Sequence, residues 1–179
     1  MPVFTAPLVG FALGALFALA ARRAASREVE HELPPRAVAT VTAFALLVFG
    51  PGVGYFTAFA TDWSLGYLLD ARRVPSAVLL LAVLVEIASV PLGFSLAARV
   101  TRGKDARALV GFVAVPAALA LAVLVAAGSR LLVAGTHAQV TRGAGGLPLS
   151  DSPLGKALLF ANLCVLAGAA WTFVRVRDA

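Results

Sequence analysis

The chain has 179 residues, of which 60% are hydrophobic and only 13% charged, and its mean hydropathy is +0.92. A soluble domain holds roughly 45 to 50% apolar residues even with glycine counted, so the composition argues against a water-soluble globule and for a bilayer as solvent. The net charge of +6 does not point to nucleic acid: the 15 Lys and Arg fall in short clusters between apolar runs, where anionic headgroups and the orientation rule for membrane proteins account for them.

Five apolar runs, at about 20 residues per span, predict an all-α fold: a polytopic five-transmembrane-helix bundle forming one unit over residues 1 to 179. The first run covers 3 to 21 and is followed at once by Arg22 and Arg23. A cleavable signal peptide carries its positive charge before the apolar stretch, so an uncleaved span is expected here. Gly10 and Gly14 stand four apart, which lets a neighbouring backbone approach one helix face. The expected neighbour is a helix of the same chain, with a homo-oligomer or protein partner through Gly10/Gly14 or Gly50/Gly54 as the alternative. Residues 22 to 37 then mix four arginines with Glu28, Glu30 and Glu32 and include Pro34 and Pro35, the pattern of a water-exposed connector, a short charged helix halted by the proline pair. His31 there is read as a solvated side chain.

The second run, 37 to 60, is interrupted by Gly50-Pro51-Gly52-Val53-Gly54. Proline removes a backbone hydrogen bond and crowds the preceding turn, so a kink or a short unwound step facing the bundle interior is expected, either for packing or as one wall of a pocket. An aromatic and acidic segment follows at 61 to 73. With Tyr55 just before it, this stretch brings Asp62, Trp63, Tyr67 and Asp70 to the edge of the span. Trp and Tyr collect at headgroup depth, so the stretch is either an aromatic belt or the rim of a pocket.

The third run, 74 to 98, carries Glu86 about a dozen residues from either end, which at 1.5 Å per residue is near the midplane. An ionisable group at that depth is costly and turns toward the bundle interior. Ser89 and Gly93 follow at i+3 and i+7, so acid, hydroxyl and small residue share one helical stripe. Proline at 91 frees the carbonyl of Ile87 beside the acid. These features make Glu86 the strongest candidate for a binding or proton-carrying group, with a neutral Glu satisfied by a helix-to-helix hydrogen bond as the alternative. The fourth run, 108 to 128, contains Pro116, and Arg130 just beyond it is an interfacial anchor or a countercharge for Asp62 or Asp70. A Gly-rich loop at 135 to 152 includes His137. The fifth run, 153 to 174, holds Asn162, expected to bond between helices, and Cys164, expected to be a buried thiol that forms no disulfide within the chain because it is the only cysteine.

Basic residues set the expected orientation. Ten lie after spans one, three and five, against Arg72, Arg73, Arg130, Arg142 and Lys156 on the other side, which puts the N-terminus outside and the C-terminus in the cytoplasm. The Arg-rich, Ala-rich and Gly-rich composition is that expected of a bacterial protein, and the predicted location is a bacterial cytoplasmic (inner) membrane. No metal, haem, nucleotide-binding or intramembrane-protease signature stands in the chain, so no cofactor is expected. Three functions fit: a non-catalytic bundle acting as a subunit or partner-binding protein; a small proton-coupled carrier or channel using Glu86; and a lipid-modifying enzyme with an outward pocket of Tyr55, Asp62, Trp63, Tyr67 and His137, in which His137 or Asp62 transfers the proton.

Overall fold

The structure, a computed structural model, describes residues 5 to 25, 34 to 53, 76 to 100, 110 to 122 and 153 to 178. Among them the chain is entirely helical apart from the residues flanking two helix ends. Helix α1 is Thr5–Ala25 and α2 is Pro35–Phe44. A π-helical turn, Ala45–Phe49, continues α2, and the helix runs on to Val53. Helix α3 is Ser76–Val100, α4 is Val110–Ala122 and α5 is Pro153–Arg177. Two of these stretches, Pro35–Val53 and Leu80–Val100, are long and apolar enough to cross a membrane.

Local chemistry explains where α2 starts and where it becomes irregular. Its first residue is Pro35, whose fixed φ suits the first helical position and whose missing N–H would have had no partner there. The break predicted at residues 50 to 54 is displaced by a turn. Pro51 sits within continuous helix, and the irregularity is the π turn before it, where the Gly50 N–H donates to the Ala45 carbonyl. A proline ring pushes on the turn N-terminal to it, and a widened π turn absorbs that push without ending the helix. Pro91 lies inside α3, which also continues through it.

Helix α1 occupies the centre. Its glycine face meets α3: a Cβ on Gly10 would collide with the Ser89 hydroxyl, and one on Gly14 with the Val90 carbonyl and, at 2.7 Å, the Phe94 backbone nitrogen. Gly93 of α3 answers from the other side, pressed on the Phe11 backbone. Bare backbone on both helices is what permits so close an approach. A second face of α1 meets α2, with Phe17 edge-on to Phe44 at 5.4 Å and Phe49 against Gly10. The Phe11 ring stacks on Phe112 of α4 at 6.4 Å.

These contacts also fix directions. Gly10 lies against Ser89 while Gly14 lies against Gly93 and Phe94, so α1 and α3 run the same way. Residues 10 and 17 meet 49 and 44, so α2 runs opposite. Gly52 packs on Ala161 and Val165, and Gly168 packs on Val48 and Phe44, so α5 is antiparallel to α2 and parallel to α1 and α3.

Polarity is distributed inside out. Among the described residues the buried polar side chains are Glu86, Ser89 and Thr172, whereas Leu47, Phe160 and Leu166 are 75%, 69% and 66% exposed. Leu80, Leu81, Leu92, Val115, Leu119 and Leu163 add to the apolar exterior.

Candidate functional site

Glu86 belongs to the buried stripe of α3. Residues Glu86, Ser89, Val90, Gly93, Phe94 and Ala97 are all buried, at the spacing of one helix face. Glu86 itself is 0% exposed. The stripe lies against the glycine face of α1, and the residue beside the acid, Ile87, lies against Gly50 of α2, 2.6 Å from where a Cβ would stand. One layer of the bundle therefore contains Gly10, Phe49, Gly50, Ile87 and Ser89, with Glu86 one turn along α3 at the level of the Gly50-Pro51-Gly52 segment.

The Ser89 hydroxyl is turned to its own helix backbone. It donates to the Glu86 backbone carbonyl at 2.6 Å, the local bond by which a hydroxyl satisfies itself in a helix. Ser95 does the same to Leu92, and Thr40 to Arg36. What this arrangement offers chemically is a fully buried carboxyl on the α3 face that packs against α1.

Among the described residues, the other candidate binding side chain is Asn162. Asn162 is exposed on α5, next to Ala161, which faces Gly52. It therefore sits at the same height as the α2 break but on the outer side. Cys164 is exposed as well, a correction to its expected burial: α5 is so uniformly apolar that its sequence does not distinguish an inner from an outer face. Tyr55, Asp62, Trp63, Tyr67, Arg130 and His137 lie outside the described residues, as does Gly54. Gly10, Gly14 and Gly50 are spent on contacts within the chain. Thr172 is one buried group the sequence reading passed over. Its hydroxyl has no hydrogen-bond partner among the described residues, and nothing distinguishes this threonine in the run Ala-Trp-Thr-Phe.

No group of three or more His, Cys, Asp or Glu able to hold a metal ion occurs among the described residues. Comparison with family models, with characterised proteins and with solved structures gives no match to this chain.

Proposed function

We propose that the chain is an integral membrane protein whose five apolar segments form one bundle in a bacterial-type cytoplasmic membrane, with the N-terminus outside and the C-terminus in the cytoplasm. It acts without catalysis, as a subunit of a larger assembly or as a partner-binding protein. The observation that supports this reading is the inverted polarity, with Glu86, Ser89 and Thr172 inside and large aliphatic and aromatic side chains outside. Soluble monomers rarely expose apolar patches beyond a few hundred Å², whereas a lipid-facing surface must be apolar. A partner would use faces other than those already filled by α1 and α3. Helix α4 offers one, since Gly111 is exposed and a Cβ there would meet nothing within 4 Å. Gentle detergent extraction followed by sizing tests the proposal: a stoichiometric partner or a symmetric oligomer is expected, and a lone monomer would contradict it.

Complete burial of Glu86 favours a second reading, a small proton-coupled carrier or channel with this carboxyl as the titrating group. In proteoliposomes, Glu86→Gln then abolishes pH-driven flux while the bundle remains folded; unchanged flux sinks this reading. The lipid-modifying enzyme rests on residues outside those described and ranks behind both.

A further inference from the structure

We infer that the end of the bundle where α1, α3 and α5 finish and α2 begins is a binding surface for anionic phospholipid headgroups, an inference that rests on the membrane reading above. Because α2 runs against the other three, every arginine whose side chain is described falls at this end: Arg22 on α1, Arg36 on α2, Arg99 on α3, and Arg175 and Arg177 on α5. Arg36, Arg99, Arg175 and Arg177 are exposed and Arg22 is half-buried. Four different helices thus contribute to one rim. Lys156, in the first turn of α5, belongs to the opposite end.

The surroundings favour a lipid over a free anion. Trp171 is 57% exposed and carries the Arg175 guanidinium 5.5 Å from its ring centroid, while Thr172 and Val176 beside them turn inward. An indole topped by a guanidinium suits the boundary where acyl chains give way to phosphates. On α3 the exposed Leu92, Leu96 and Val100 bring apolar surface directly up to Arg99. The acid described at this end, Asp178, is 3.2 Å from Arg177 and offsets one charge. The flanking connectors, 26 to 33 and 101 to 109, lie outside the described residues and cancel in charge: Glu28, Glu30 and Glu32 with Arg27 in the first, Asp105 with Arg102, Lys104 and Arg107 in the second. Guanidinium forks match phosphate oxygens in pairs, and apolar flanks continuous with the charged rim fit the acyl chains of the same molecule.

The test is thermal unfolding of the full chain in neutral detergent micelles, titrated separately with phosphatidylglycerol, phosphatidylcholine and inorganic phosphate. Phosphatidylglycerol is expected to raise the midpoint and the other two are not. Replacing Arg99, Arg175 and Arg177 by Gln should weaken the apparent phosphatidylglycerol affinity roughly fivefold per arginine, while Lys at the same positions keeps most of it. Equal effects of the two lipids, or wild-type affinity in the Gln variants, would overturn the inference. A shift reproduced by inorganic phosphate alone would overturn it too, in favour of a free-anion site. If the Gln variants fail to fold, the comparison of the two lipids on the wild-type chain still decides. Failure of the membrane reading has a separate signature, recovery of the chain in water without detergent.

Discussion

Gly14 and Gly111 differ in what surrounds them, and that difference makes the packing of α1 testable at single residues. A methyl at Gly14 would run into backbone atoms of Val90 and Phe94, which have no side-chain freedom to yield; at Gly111 it would enter open space. Gly14→Ala should therefore cost about 1 to 3 kcal/mol, the usual range for overpacking. Gly111→Ala should gain a few tenths to ~1 kcal/mol from helix propensity. Denaturation in mixed micelles measures both, and equal effects would contradict the α1–α3 contact. Thr172 supplies a second case. Its buried hydroxyl makes no hydrogen bond among the described residues, and a polar group buried without a partner is destabilising. Thr172→Val, which keeps the shape and removes the hydroxyl, should raise stability by about 1 kcal/mol, and a loss of that size in the same assay would mean that the hydroxyl has a partner.

At the scale of an element, the π turn of α2 carries the clearest consequence. Pro51 is exposed, so its ring fills no interior space, and its cost to the helix is not offset by packing. Pro51→Ala restores a backbone donor and is expected to stabilise the protein by about 1 to 2 kcal/mol, part of the ~3 kcal/mol intrinsic penalty of proline in a helix. A destabilised variant would show instead that the break is required for the packing of Gly50 and Gly52 against α3 and α5. The sequence made the proline break legible but not its form, because the strain emerges one turn before the residue that causes it. The α3 stripe was legible for a different reason: Glu86 is the one acid in an apolar run, and Ser89 and Gly93 follow it at i+3 and i+7, so their spacing declares a face. Helix α5 has no such clear stripe, and the outward placement of Cys164 could not be read from it.

The helical character of the described residues follows from apolar runs too long for strands, and it is legible in the lengths of those runs. The central position of α1 is not. A Gly-x-x-x-Gly spacing announces a close approach without saying which helix approaches, and only the matching Gly93 on α3, together with Phe17 and Phe44 between α1 and α2, identifies the neighbours. Within the described core Glu86 is fully buried on the α3 face that meets α1.

The central claim is that the outer faces of these helices meet lipid, and the chain carries its own probe for it. Cys164 is the single cysteine, exposed on α5 among the exposed Phe160, Leu163 and Leu166. A nitroxide attached to Cys164 in reconstituted bilayers should be relaxed by dissolved oxygen, which concentrates in the acyl chains, and shielded from a water-soluble nickel chelate. Strong relaxation by the chelate with little by oxygen would place this face in water and contradict the account.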